Sequence, residues 1–124
     1  MKTNFFLLLV LILSLNSFLA QESTGIASVL SKADAVDIKN TGKLKITLPA
    51  SSEKEEVDKS ASYYVHNFSV NFDANSKVAE LIMVTNDERS RQIIVRFLTA
   101  CGVSQVNVGG TMVDLYPFYE NYLK

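Results

Sequence analysis

Phe68–Val84 reads FSVNFDANSKVAELIMV, and its period decides the fold. Phe68, Val70 and Phe72 alternate with Asn67, Ser69 and Asn71, Asp73-Ala74-Asn75-Ser76 is turn chemistry, and Val78–Val84 continues as a second apolar run. Period-two alternation places one face of each run in a core, and a turn between two such runs marks a β-hairpin. Upstream, Lys43–Leu48 (KLKITL) sets Leu44, Ile46 and Leu48 on one side, opened by Asn40-Thr41-Gly42 and stopped by Pro49, as a half-buried strand does. Ser52 followed by Glu55 has the form of a capping box, so a helix is expected from near Ser52. Val57, Ala61, Tyr64, Val65 and Phe68 recur at helical spacing, and the same residues leave the end of that helix open between Ser60 and His66.

Downstream of the hairpin, Thr85 with Glu88 forms a second capping-box pattern. Ile93, Ile94, Phe97, Leu98 and Cys101 then make one apolar stripe, set against Arg89, Arg91, Gln92 and Arg96. Gly102 supplies the left-handed residue that closes a helix. Val103–Val108 (VSQVNV) alternates again, and Gly109-Gly110 ends it as a turn, because phosphate-cradling glycines precede a helix instead. The order over residues 43–109 is β-α-β-β-α-β. The expected fold is therefore α+β: a ferredoxin-like, four-stranded antiparallel sheet with two helices on one face and the other face wet.

Three segments flank this unit. Residues 1–20 carry Lys2, then the apolar run Phe5–Leu15, then small and polar residues to Ala20-Gln21, which is the pattern of a cleaved signal peptide. The run is well short of the roughly 20 residues that span a bilayer, so no stable membrane span is expected after cleavage. Residues 21–42 form an N-terminal arm or short helix, with Ile26, Val29, Leu30 and Ala33 at helical spacing. Residues 110–124 (GTMVDLYPFYENYLK) are too apolar for a free tail and are expected to dock on the domain.

Composition excludes several functions. Twelve Lys+Arg balance 13 Asp+Glu, and loss of residues 1–20 removes Lys2 and no acid. A chain so nearly neutral, without a basic cluster, lacks the footprint of a nucleic-acid binder. One Cys forbids an internal disulfide, and one His forbids a multi-His zinc site. Cys101 is expected as a buried free thiol, since an exposed one would pair between molecules in an oxidising compartment. His66 stands alone at an element boundary, without a second base or an orienting group. Glu53, Glu55, Glu56, Asp58, Asp87 and Glu88 fall at helix starts, where the macrodipole favours acids, so they read as capping chemistry before catalysis. No serine has the partners of a nucleophilic triad. Asn67-Phe68-Ser69 matches a glycosylation acceptor but sits at an expected strand.

The element order, FSVNFDANSKVAELIMV, the helix end LTACGV and the strand SQVNV together resemble the heavy-metal-associated domains of copper chaperones and metal-transporting ATPases. That family holds its metal on a Cys-x-x-Cys between the first strand and first helix. The matching positions here, Pro49-Ala50-Ser51-Ser52, contain no Cys, so the resemblance carries no metal ligand and implies a fold only. No cofactor, metal or catalytic residue is expected. The compositional outlier is LYPFYENYL: Tyr116, Phe118, Tyr119 and Tyr122 are the expected partner-binding residues, because tyrosine is large, rigid and polar-tipped. The alternative for the same residues is a lid over the core. The expected function is a secreted or periplasmic, non-catalytic module that binds a protein or envelope component through this segment or the open sheet face. The alternative is a metal-handling accessory domain that has lost its thiolate site. An exposed sheet edge would also allow two copies to pair.

Overall fold

The hairpin forms in the expected register, from Phe68 opposite Met83 to Phe72 opposite Ala79. The computed structural model describes residues 24–124, so the leader expected at 1–20 lies outside the described residues. In chain order the elements are β1 (Ile26–Val29), α1 (Lys32–Val36), α2 (Ile38–Thr41), β2 (Lys43–Thr47), α3 (Lys54–Ser62), β3 (Phe68–Phe72), β4 (Val78–Met83), α4 (Glu88–Ala100), β5 (Gln105–Val108), β6 (Thr111–Asp114) and α5 (Leu115–Phe118). A π-helical turn, Tyr119–Leu123, follows α5. The protein is α+β, with one six-stranded sheet in the order β3-β4-β2-β1-β5-β6.

The expected four-stranded antiparallel sheet is corrected in three respects, the first being its size, since β1 and β6 join it as additional strands. β1 lies between β2 and β5, so the first and last strands of the expected unit are not neighbours. The sheet is also mixed, because β1 runs antiparallel to β2 and parallel to β5. The cause is the period of Ile26–Val29. Ile26, Val29, Leu30 and Ala33 fit a helical stripe on paper, yet Ala27 is fully buried, Val29 nearly so and Leu30 is 88% exposed. Burial alternates every second residue, which is a strand with Ala27 and Val29 facing inward.

One face of the sheet carries the core. Ala27, Val29, Leu44, Ile46, Phe68, Phe72, Ala79, Leu81, Val106 and Val108 point to it, and Val57 of α3 and Ile94, Phe97 and Leu98 of α4 close over them. Phe97 meets Phe68 edge-on at 5.7 Å, and Tyr64 stacks on Phe68 at 5.9 Å, a geometry that adds to plain burial.

The helix starts differ from the capping boxes expected at Ser52 and Thr85. α3 is preceded by Glu53 without a side-chain cap, and the Ser52 hydroxyl is buried without a partner. α4 is capped by Asp87, whose Oδ1 accepts from the Ser90 amide at 2.7 Å. A short acid two residues further on competes with Thr85 for the same role, and here it prevails. That bond to the Ser90 amide holds the Asp87 carboxyl below its ordinary range. Gly102 ends α4 at φ +80°, with the Val103 amide donating to the Leu98 carbonyl and the Gly102 amide to Thr99, a Schellman closure.

The C-terminal segment completes the core. Phe118 and Leu123 are fully buried, while Tyr119 and Tyr122 are 4% and 9% exposed. Buried Arg91 donates from Nε to the Leu123 carbonyl at 2.6 Å and from Nη1 to Asn86 Oδ1 at 2.8 Å. Asn86 Nδ2 in turn donates to the carbonyls of Ile38 and Lys39 in α2. One buried guanidinium thus ties the chain end, α4 and the β1–β2 connection together. No helix among the described residues is long and apolar enough to cross a membrane.

Candidate functional site

α3 and α4 pack on the core side of the sheet, and the strand registers define the residues of the opposite face. Across it run Ser69 and Asn71 of β3, Val78, Glu80 and Ile82 of β4, Lys43, Lys45 and Thr47 of β2, Ile26 and Ser28 of β1, Gln105 and Asn107 of β5, and Met112 and Asp114 of β6. The face mixes both signs of charge with apolar side chains. Lys45 lies 3.9 Å from Glu80, an exposed pair of small energetic weight.

At its centre the face opens into a cleft of about 520 Å³. Lys43, Lys45 and Thr47 form one wall, Val78 and Glu80 extend that wall outward, and Leu30, Asp34, Asp37 and Thr41 stand opposite. Local chemistry explains why the sheet parts here. Ser31 caps α1 by accepting the Asp34 amide at 3.1 Å, which takes the chain out of the sheet directly after β1. The β5–β6 turn packs on that bend: a Cβ on Gly109, at φ +56°, would come within 3.4 Å of Ser31 Cα. The chain returns through Gly42, whose φ of +71° ends α2 and whose carbonyl accepts the Met83 amide at 2.7 Å, so β2 pairs with β4 from its first residue.

The consequence is an incomplete ladder. β1 and β2 are joined by the single pair Ser28–Thr47. Gly42 and Leu48 direct their main-chain groups to β4, and strand alternation therefore turns those of Lys43, Lys45 and Thr47 toward β1. Gly25 and Val29 accept amides from the β5 side, which turns Ser28 toward β2. Ser28 and Thr47 meet, and the Lys43 amide is satisfied by the Thr41 hydroxyl at 3.2 Å. The main-chain groups of Lys45 turn to the same side, beyond the end of β1 at Val29.

Of the four aromatic residues expected to bind a partner, Phe118, Tyr119 and Tyr122 are buried in the core, and Tyr116 is 65% exposed. Burial and a hydrogen bond to Glu88 hold the Tyr119 phenol above its ordinary pKa. Tyr116 and Tyr119 share a smaller cleft of about 250 Å³ with Arg89, Gln92 and Arg96 of α4.

No family model, curated protein or solved structure matches this chain. The site is therefore judged on its own chemistry.

His66 is exposed in the turn before β3, and among the described residues no three His, Cys, Asp or Glu side chains gather to hold a metal ion. Cys101, expected as a buried free thiol, is half-buried and lines the same cavity as Ser51 and Ser52, with Glu53 and Glu56. The end of α4 packs beside the start of α3, a proximity that helix spacing alone does not report. Burial pushes the Cys101 thiol up to about 11, and a hydrogen bond with Ser60 only partly offsets that. The neutral thiol is neither nucleophile nor soft ligand. Alkylation at pH 8 is expected to run about a hundredfold slower in the folded chain than after denaturation, measured by time-resolved thiol titration; equal rates would contradict this placement.

The open face was legible as the polar half of each alternating strand. Its cleft was not, because the split depends on β1 entering the sheet. The local signal that could have found it is Ser31-Lys32-Ala33-Asp34, a cap pattern directly after an alternating tetrapeptide.

Proposed function

We propose that the chain is an exported, non-catalytic interaction module that binds a protein or envelope component through the open sheet face, at the cleft between β2 and α1–α2. We read its architecture as a ferredoxin-like unit whose first and last strands are separated by an inserted strand. The observation that carries this reading is the cleft itself: about 520 Å³, bounded by Leu30 at 88% exposure and by lysines facing aspartates. A volume of that order accommodates several side chains of a partner. Export rests on the leader expected at 1–20. Metal handling, which the heavy-metal-associated resemblance would suggest, would have to run through Cys101, whose thiol is held protonated. The exposed sheet edges, β3 and β6, are where two copies would pair.

Capture from the source organism's envelope fraction tests the reading. Lys45→Glu and Thr47→Arg on the open face are expected to reduce capture at least about tenfold, a loss of about 1.4 kcal/mol in binding. Tyr116→Ala is expected to leave capture unchanged. The reverse pattern would move the binding surface to the Tyr116 cleft, and no capture by any form would overturn the proposal.

A further inference from the structure

We infer that the β1–β2 split recognises the main chain of an extended peptide, which pairs with Lys45 as Thr47 pairs with Ser28. This rests on the open face being the binding surface and adds the class of ligand. Two observations carry it. The ladder stops at Ser28–Thr47, and the next position of β2 on that side, Lys45, turns its amide and carbonyl to where β1 has ended at Val29. The Ser31 cap turns the chain into α1 directly after β1, and the β5–β6 turn packs against that bend at Gly109, so β1 does not continue alongside Lys45.

An extended peptide satisfies these groups by donating one amide to the Lys45 carbonyl and accepting the Lys45 amide, the exchange by which strand-addition sites bind. A helix offers nothing here, because its main-chain groups are already bonded internally. Charge selects the side chains. Lys45 already has Glu80 and Asp34 is held by Ser31, whereas Lys43 has no ion pair among the described residues. Lys43 therefore attracts an acidic residue on the β2 wall, and Asp37 across the cleft repels one placed there. Leu30 and Val78 supply apolar contact on the two sides. The ligand is thus an extended segment with an acid beside Lys43 and an apolar residue over Leu30.

The test uses amide NMR on the mature chain with heptapeptides of alternating Thr and Val that carry Asp, Ser or Lys at the centre. A fourth probe is the Asp peptide N-methylated at its three central residues. The Asp peptide is expected to shift the Leu30 and Lys45 amides and to slow Lys45 hydrogen exchange at least about tenfold. The Lys peptide is expected to bind more weakly and the methylated peptide not at all. Leu30→Asp is expected to weaken the Asp peptide without changing the melting temperature, since Leu30 is 88% exposed. Equal binding of the methylated peptide, or no response at Lys45 and Leu30 to any probe at roughly millimolar concentration, would overturn the inference. If capture from the envelope still depends on Lys45→Glu while Lys45 ignores every peptide, this inference falls and the open-face function stands.

Discussion

A chain ending at Gly110 is expected to lose its cooperative thermal transition. The deletion removes β6, which pairs with β5 from Val108–Thr111 to Gln105–Asp114, and with it the buried side chains of Phe118, Tyr119, Tyr122 and Leu123. Each such side chain contributes about 1.5–3 kcal/mol by burial, so their sum rivals the about 5–15 kcal/mol that holds a typical domain together. A second loss acts in the same direction. Arg91 donates from Nε to the Leu123 carbonyl, and without that acceptor a buried guanidinium loses a charge-assisted hydrogen bond. Circular dichroism through a thermal ramp reads the outcome. A cooperative melt within a few degrees of the intact protein would show that the segment covers nothing essential and would restore the aromatic tail as a free binding element.

Phe97→Ala is expected to cost about 3–5 kcal/mol, read as a lower denaturant midpoint with an unchanged slope. Phe97 is fully buried and sits where α4 meets the sheet, edge-on to Phe68 at 5.7 Å and to Tyr64 at 6.4 Å. Truncation to Ala leaves a cavity that a rigid sheet on one side and a thirteen-residue helix on the other cannot easily collapse. Tyr116→Ala serves as the contrast. Its ring is 65% exposed, and a change within about 0.5 kcal/mol is expected there. Similar costs at the two positions would contradict the division of the aromatic residues into core and surface.

The sequence was most informative where burial is one-sided and the period is long enough to be unambiguous. Phe68–Val84 alternates over two strands and a turn, and the stripe Ile93, Ile94, Phe97, Leu98 can be satisfied only by a helix, so both elements were readable from spacing alone. Four-residue β1 was not, because Ile26, Val29, Leu30 and Ala33 fit a helical stripe as well as Ala27 and Val29 fit a strand. The choice was made by long-range pairing with β5 and β2. Helix starts shifted because Asp87 is itself a better-placed cap than Thr85. The aromatic C-terminus illustrates a different limit: tyrosine suits an interface and a wet-edged core equally, and composition cannot divide exposed Tyr116 from Tyr119 and Tyr122. The cleft was least legible of all, since it depends on β1 entering the sheet beside β2 and leaving it at the Ser31 cap after one pair.

Hydrogen exchange across the whole chain, with and without the partner captured from the envelope, tests the open-face proposal most directly. The proposal predicts that bound partner slows exchange in Ser28–Leu30 and Lys43–Thr47 while α3 and α4 are unchanged. Protection confined to α4 and the Tyr116 segment, with the β1–β2 split exchanging as fast as in the free protein, would contradict it.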